Sequence, residues 1–379
     1  MAAKKILILT ASIGSGHIKA AEAVAEELAR QQPQAEIITV DFMARSTSLW
    51  HWLTKKVYLE MLNFVPNLYD VFYKFSSSDT GGSCGKNMFA LLMLPVFNRL
   101  QSRYQPDCVI CTHPFPAGTV SLWKMRHHSK LPLSVVMTDY SLHPMWLCDG
   151  ADNYFMATEA MRQGMIEQGF GEEKLHATGI PISCEVQKLL PKAEMRKALG
   201  IAQENKVILL MGGGLGLGGI QKTLQELEKI SQPLTLLVIA GRNEQLLQQT
   251  ERFAASSHHA VRVWGYTDEV RKLMRAADLL ITKPGALTIS EAFALGTPML
   301  LHDPIPGPET ENAVYATRHG AAVWLHPGEK LAAAVEEIFH GDSLVQMQNH
   351  ALKCARPLAG KEIVKIIFMA AGFSARNRE

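Results

Sequence analysis

Short apolar runs alternate with longer amphipathic stretches along most of the chain, which is the pattern of an α/β protein built on parallel sheets. Helices are predicted between the runs, beginning with an Ala-rich one that carries Ala20, Val24 and Leu28 on one face. The runs that predict buried strands are residues 4–11, 35–41, 107–112, 133–138, 153–158, 206–211, 234–240, 261–266, 279–282, 298–302 and 321–325. A mixed polar stretch after residue 182 interrupts this alternation, so the 379 residues predict two domains, 1–182 and 183–357, followed by a last segment, 358–379.

Glycines follow the first strand of each predicted domain. In the first domain, Gly14 and Gly16 lead to His17 at the start of a helix, and the glycine spacing excludes a dinucleotide fingerprint. A helix N-terminus disfavours imidazolium, so His17 is expected to be neutral and suited to take a proton from an alcohol. A surface histidine that caps the turn is the alternative interpretation.

The second domain has six glycines within Gly212–Gly219, an N–H-rich loop of the kind that binds anions. No G-K-[ST] follows, which excludes a Walker loop. A flexible turn is the alternative.

A turn at Lys283–Ala286 precedes a helix that we expect to begin at about Thr288, with Glu291 three residues on as in a capping box. Unpaired N–H groups and the helix dipole favour an anion at such a place. A carboxylate beside it can accept hydrogen bonds from ribose hydroxyls. The sequence therefore indicates a nucleotide site, with an ordinary capped helix as the alternative.

Composition gives the chain a net charge of only +2, so nothing global suggests a nucleic-acid partner. The charge is uneven, since Phe42–Lys130 holds ten Lys or Arg against four Asp or Glu. Residues 42–75 also hold nine of the 28 aromatic residues. This combination suits an anionic membrane surface, although two core helices with aromatic packing are the alternative.

The six cysteines are scattered, and the single C-x-x-C at Cys108 lies inside an apolar run, so we expect reduced core cysteines and no metal site. The N-terminal apolar run is too short for a signal peptide, and the longest run, 88–97, is too short to span a bilayer. We therefore expect a cytoplasmic protein whose membrane contact is peripheral.

Three stretches resemble glycosyltransferase family 28: TKPGALTISEA from Thr282, PGPETEN from Pro306 and VMTDYSLHPMW from Val136. With the G-x-G-H that ends at His17, they are most similar to the monogalactosyldiacylglycerol synthases and the bacterial processive diacylglycerol glucosyltransferases. The resemblance implies the GT-B architecture, two doubly wound Rossmann-like domains facing a central cleft, with a last helix that crosses back to the first domain. It implies inverting transfer of glucose or galactose from a UDP-sugar to diacylglycerol, without a cofactor or metal, at the inner face of the membrane.

The resemblance also assigns residues to roles. His17 is implied as the base, with Asp139 as a second base or an orienting group, and any carboxylate partner of His17 must come from elsewhere. The nucleotide-sugar site is implied to comprise Gly212, Gly213, Gly214, Gly216, Arg242, Tyr266, Lys283, Gly285, Ala286, Leu287, Thr288, Glu291, Glu309 and Asn312. Acceptor or membrane contacts are implied for Trp50, Trp52, Tyr58, Phe64, Tyr69 and His143.

One departure concerns the sugar. Many relatives read GQE where this chain has Gly307-Pro308-Glu309, so the choice between glucose and galactose stays open. Three other functions stay open as well: transfer of N-acetylglucosamine to a polyprenyl-linked acceptor, epimerisation of UDP-N-acetylglucosamine, and a non-catalytic regulator that binds nucleotide sugars.

Overall fold

The chain forms two units. The first comprises Met1–Cys184, Pro306–Pro308 and Leu358–Glu379, and the second comprises Glu185–Ile305 and Glu309–Pro357. The computed structural model describes residues 3–12, 15–43, 79–212, 219–305 and 307–370, with the backbone alone for 79–87.

A six-stranded parallel sheet forms the centre of the first unit. Its strands are β1 (Lys5–Thr10), β2 (Glu36–Asp41), β3 (Cys108–Cys111), β4 (Leu133–Val136), β5 (Asn153–Phe155) and β6 (Leu175–His176). They lie in the order β2-β1-β3-β4-β5-β6. The strands β3 and β4 are wholly buried, which is why their sequences are continuous apolar runs, whereas β2 at the edge is largely accessible.

A second six-stranded parallel sheet forms the centre of the other unit. Its strands are β7 (Lys206–Met211), β8 (Leu234–Ile239), β9 (Ala260–Trp264), β10 (Leu279–Thr282), β11 (Met299–Leu301) and β12 (Ala322–Trp324). Their order is β12-β11-β10-β7-β8-β9. The buried face of β7 and β8 packs in one apolar core with Leu224, Leu227 and Val335 from the helices.

Helices connect the strands of both sheets. They are α1 (Ser15–Gln31), α2 (Asp79–Tyr104), α3 (Pro114–His127), α4 (Glu159–Glu167), α5 (Lys192–Ala198), α6 (Ile220–Leu227), α7 (Glu244–Ser256), α8 (Val270–Ala276), α9 (Ala286–Leu295), α10 (Pro308–Arg318), α11 (Leu331–Phe339), α12 (Ser343–Cys354) and α13 (Ala359–Ala370). Short 3₁₀ helices occur at Pro144–Trp146, Glu172–Lys174 and Cys184–Lys188. The prediction of two doubly wound α/β units is confirmed.

The last helix belongs to the first unit. Ile363, Val364 and Ile367 of α13 share one apolar core with Ile8 of β1 and Val24 of α1. The C-terminal helix therefore completes the core of the unit with which the chain begins.

Each sheet has one topological switch point, the place where successive connections leave in opposite directions. It lies between β1 and β3 in the first sheet and between β7 and β10 in the second. Open parallel sheets bind their ligands at the carboxyl ends of the strands at such points. The candidate site residues of each unit should therefore be sought after these four strands.

Candidate active site

His17 is the third residue of α1 and lies at the first switch point. Its Nδ1 is 2.9 Å from the carbonyl oxygen of Thr112 and 2.7 Å from Oγ1 of Thr138. Because a carbonyl can only accept a hydrogen bond, Nδ1 must carry the ring proton, which the two oxygens share. This leaves Nε2 with a lone pair, so the ring is held in the tautomer that can accept a proton at Nε2.

Burial keeps the His17 ring neutral. It lowers the pKa of His17 to about 4, and the hydrogen bond to the Thr112 carbonyl opposes this only in part. Among the residues that the structure describes, no carboxylate contacts Nδ1. The partners of Nδ1 are a backbone carbonyl and a hydroxyl, which fix the orientation of the ring without adding a charge.

His113 packs against His17, and the sequence analysis did not single it out. The two rings meet edge to face with centroids 4.5 Å apart. His113 is the N-cap of α3, where its Nδ1 accepts a hydrogen bond from the N–H of Phe115 at 3.1 Å. Burial and the neighbouring His17 hold the pKa of His113 well below its usual value. The position of His113 directly after β3, at the switch point, is the feature of the sequence that could have identified it.

Asp139 and His143 lie in the segment that follows β4. Burial raises the pKa of Asp139 to about 6, and a hydrogen bond with the Trp146 side chain opposes this. The Trp146 ring also lies 6.2 Å from the His17 ring, centroid to centroid. The Nδ1 of His143 accepts a hydrogen bond from the N–H of Met145 at 3.2 Å, so this nitrogen serves the local turn. The prediction that Asp139 and His143 belong near the cleft stays a prediction, and the described contacts link Asp139 to His17 only through Trp146.

In the second unit, α9 begins earlier than predicted. Gly285 is the N-cap in an extended conformation, no side chain caps the helix, and Ala286 is the first helical residue. The predicted capping box of Thr288 and Glu291 is therefore wrong, because Glu291 is the sixth residue of the helix. The physical reason is that the turn through Pro284 brings a glycine, which needs no side-chain cap, to the N-cap. The first-turn N–H groups of Ala286, Leu287 and Thr288 point out of the helix beside Lys283.

Glu291 is held by an ion pair that the sequence did not reveal. Its Oε1 is 3.4 Å from Nη1 of Arg271, and Arg271 also pairs with Glu185. Glu291 is only 9% exposed. A nearly buried carboxylate with one oxygen directed to a guanidinium is fixed in orientation, which suits recognition of a diol.

Asn312 and Glu309 fasten the turns around α9. Asn312 is buried, and its Nδ2 donates to the carbonyl of Pro284 at 3.2 Å. Glu309 accepts a hydrogen bond at 2.7 Å from the N–H of Ile305. Both predicted residues therefore make backbone hydrogen bonds that shape the loops after β10 and β11.

Arg242 and Tyr266 form a pair after β8 and β9. The guanidinium carbon lies 4.5 Å from the centroid of the Tyr266 ring, within cation–π distance, and Tyr266 is 52% exposed. An accessible aromatic ring beside a cation offers a surface for a planar base.

Several predicted residues lie outside the described residues. They are Gly213, Gly214 and Gly216 of the glycine loop and the aromatic residues Trp50, Trp52, Tyr58, Phe64 and Tyr69. The two ends of the glycine loop, Gly212 and Gly219, are described, and Gly219 has a positive φ of 61°.

One group among the described residues has the composition of a metal site: Glu228, His258 and His259. His258 and His259 lie at the amino end of β9, whereas the switch point lies at the carboxyl ends of β7 and β10. His258 already bonds Glu228 and the carbonyl of Ile230, and His259 bonds the carbonyl of Leu227 and the N–H of Leu234. With every ring nitrogen occupied, the group ties α6 to the start of β9.

Comparison with known proteins identifies the family. The family model for monogalactosyldiacylglycerol (MGDG) synthase matches residues 17–182, and that for the glycosyltransferase family 28 C-terminal domain matches residues 207–362. A processive diacylglycerol beta-glucosyltransferase of Bacillus mycoides is 30% identical over 96% of this chain and 93% of its own length. This chain belongs to glycosyltransferase family 28. The resemblance seen in the sequence is thereby confirmed.

Solved structures confirm the GT-B fold of this family 28 member. MurG from Acinetobacter baumannii is 18% identical, with a TM-score of 0.65 over 97% of this chain and 99% of its own. MnaA from S. aureus, solved with UDP, is 14% identical, with a TM-score of 0.62 over 99% of each chain. Among the described residues, no helix is long and apolar enough to cross a membrane.

Proposed function

We propose that this family 28 protein transfers glucose from UDP-glucose to the hydroxyl of 1,2-diacylglycerol, with inversion to a β-glycoside. The name of the Bacillus relative supports the acceptor and the sugar. The single observation that carries the reaction is the neutral His17 ring with its unprotonated Nε2.

His17 would act as the base on the acceptor. As the acceptor oxygen forms its bond to the anomeric carbon, its proton passes to Nε2, and the bond from that carbon to the β-phosphate oxygen breaks. The alcohol becomes acidic only as this C–O bond forms, so a base of low pKa suffices at that moment. The resulting imidazolium is poorly solvated and returns its proton to solvent after product leaves.

The second unit would hold the donor and stabilise the leaving group. Departure of UDP adds one negative charge to the diphosphate, which the open N–H groups of Ala286, Leu287 and Thr288 can accept together with Lys283. Glu291 would accept the ribose hydroxyls, and the ring of Tyr266 with Arg242 would bind the base. Glu309 and Asn312 would shape the hexose end of the site.

Turnover of UDP-[14C]glucose and UDP-[14C]galactose with diacylglycerol in anionic mixed micelles tests the proposal. We expect labelled glycolipid from UDP-glucose with wild type, and a loss of at least about 100-fold with His17→Ala, the usual scale for a general base. His319→Ala, which alters an exposed histidine, should keep full activity.

Absence of glycolipid from either donor, despite measurable UDP binding, would refute the diacylglycerol acceptor. Glycolipid from UDP-galactose alone would refute the choice of glucose. Full activity of His17→Ala would refute the base.

We further propose that α2 and the end of α3 contact an anionic membrane. Met88, Leu91 and Leu92 of α2 are 63%, 43% and 65% exposed. Arg99 and Arg103 continue the same exposed stripe along the helix. An apolar stripe that continues into a basic one suits a helix lying at the level of lipid headgroups.

The end of α3 adds to this surface. Phe97 of α2 packs on Trp123 of α3, so the two helices run side by side. Met125 is 50% exposed, and Arg126 and Lys130 are exposed beside it.

Co-sedimentation with vesicles of neutral or partly anionic lipid tests this surface. Leu92→Glu should lower the bound fraction on both vesicles, whereas the double change Arg99→Gln with Arg103→Gln should lower it on anionic vesicles only. Val345→Glu changes a residue of the second unit that is 57% exposed and should leave binding unchanged. Equal binding of Leu92→Glu and wild type would refute the surface.

A further inference from the structure

His302 is the first residue after β11, and its imidazole ring is buried. The residue is 5% exposed, and its backbone N–H donates to the carbonyl of Thr282 at 3.2 Å. Within the described part of the chain, Nε2 of His302 has no hydrogen-bond partner. A buried polar atom left unpaired is costly, so it calls for an explanation.

The other ring nitrogen determines what Nε2 can bind. Nδ1 of His302 is 3.2 Å from Oδ2 of Asp303, and a carboxylate can only accept, so Nδ1 carries the proton. Burial, aided by the positive charge of Lys283, lowers the pKa of His302, and Asp303 opposes this. The ring is therefore neutral, and Nε2 is an acceptor that requires a donor such as a hydroxyl.

The backbone of Asp303 is held in a costly conformation. Its φ is 43°, in the left-handed region that non-glycine residues seldom occupy. In this conformation Oδ2 of Asp303 lies 3.2 Å from Nδ1 of His302. Oδ2 also lies 3.7 Å from where a Cβ on Gly219 would be, so Asp303 stands beside the end of the glycine loop. Strain of this kind persists where function requires it.

The strand order indicates which part of a nucleotide sugar would reach His302. From β9, which precedes Tyr266, to β11, which precedes His302, there are four steps across the sheet, or about 19 Å at the usual strand spacing. If the base lies at Tyr266 and the diphosphate at the start of α9, after β10, the hexose extends toward β11. The hydroxyl donors at that end belong to the sugar.

We propose that Nε2 of His302 accepts a hydrogen bond from a hydroxyl of the donor hexose, with Asp303 fixing the ring, so that His302 is a specificity-determining residue. The proposal rests on the proposed function, since it assumes a UDP-hexose donor. It names a contact that UDP alone does not make.

Calorimetric titration with UDP, UDP-glucose and its 2-, 3-, 4- and 6-deoxy analogues tests this contact without any acceptor. Wild type should bind one deoxy analogue about tenfold more weakly than UDP-glucose, the scale of one hydrogen bond to a buried group. In His302→Phe that gap should close, with the affinity for UDP unchanged within about twofold. His302→Gln, which places an amide oxygen near the Nε2 position, should recover part of the gap.

Two controls keep the test interpretable. His319→Phe, at an exposed histidine, should behave as wild type, and thermal unfolding identifies any variant that fails to fold. Because His302→Gln keeps a polar side chain, it provides a folded comparison if His302→Phe is unstable.

The outcomes separate this proposal from the proposed function. An equal loss of affinity for UDP and UDP-glucose in His302→Phe, or no loss for either, would overturn the hexose contact. A wild type that binds UDP-glucose but forms no glycolipid would refute the proposed function and leave the contact standing. A wild type that binds no UDP-hexose would overturn both.

Discussion

Asp139 and His17 both lie against Trp146, and their pKa shifts have opposite consequences for stability. The pKa of Asp139 is raised from 3.8 to about 6, so the folded protein holds this proton more tightly than the unfolded chain. Stability from this group is therefore lost as pH rises from about 4 to about 6. The pKa of His17 is lowered from 6.5 to about 4, so stability from this group is lost as pH falls through the same range.

The magnitude follows from the shifts. One pKa unit corresponds to about 1.4 kcal/mol, so each full shift corresponds to roughly 3 kcal/mol of unfolding free energy. Both side chains keep some contact with solvent, and we halve the figure to about 1.5 kcal/mol for screening. The two contributions vary with pH in opposite directions, so they largely cancel in wild type. The stability of each single variant should therefore show the pH dependence of the group that remains.

The perturbations are Asp139→Asn and His17→Gln, compared with wild type by urea unfolding between pH 4 and 7.5. Asp139→Asn should be more stable than wild type by about 1.5 kcal/mol at pH 7.5, and the difference should vanish near pH 4. His17→Gln should gain stability relative to wild type by a similar amount as pH falls from 7.5 to 4.

Asp149→Asn is the matched control, since Asp149 is an exposed carboxylate in the same segment. Its unfolding is measured over the same range of pH. A difference for Asp139→Asn that is independent of pH, or that grows toward acid, would refute the raised pKa of Asp139 and the burial that causes it.

Three further predictions concern single contacts. Thr138→Val, which removes a hydroxyl 2.7 Å from Nδ1 of His17, should lower kcat about fivefold with unchanged UDP affinity, and Thr138→Ser should restore it; an unchanged kcat would contradict the shared proton. Arg271→Met should weaken UDP binding about tenfold in calorimetric titration because Glu291 loses its cation, and unchanged binding would argue against Glu291 at the ribose. Asn312→Leu should lower the unfolding free energy by about 1–2 kcal/mol in urea, since the Pro284 carbonyl loses its donor; equal stability would show that water replaces the amide.

The sequence predicted the fold because buried parallel strands must be apolar on both faces. Runs such as LLIT at 279–282 and KVILLM at 206–211 have no polar face, so they predict buried strands directly. The start of α9 was predicted too late because Thr288 and Glu291 match a capping box in spacing. Only the backbone shows that Gly285 is the N-cap and that the helix begins at Ala286.

The contacts of the site depend on tertiary packing, so spacing alone could not reveal them. His17 and Thr112 are 95 residues apart, and Arg271 reaches Glu291 from a different helix. The sequence did not single out His302, because the burial of its ring and the lack of a partner for Nε2 among the described residues are properties of the folded chain. Residue types at strand ends can therefore nominate a site, but the partners that fix protonation require the folded chain.

The two histidines show why the partner of Nδ1 matters. Both rings are neutral with the proton on Nδ1, yet Thr112 offers His17 an uncharged carbonyl, whereas Asp303 offers His302 a carboxylate. A carboxylate stabilises an imidazolium and would retain the proton, whereas a carbonyl supports it much less. A base that must release its proton after every transfer is better served by the carbonyl. A residue that only accepts a sugar hydroxyl needs a fixed ring, and the carboxylate, held by the strained backbone of Asp303, provides that. The different partners thus fit the different tasks proposed for His17 and His302.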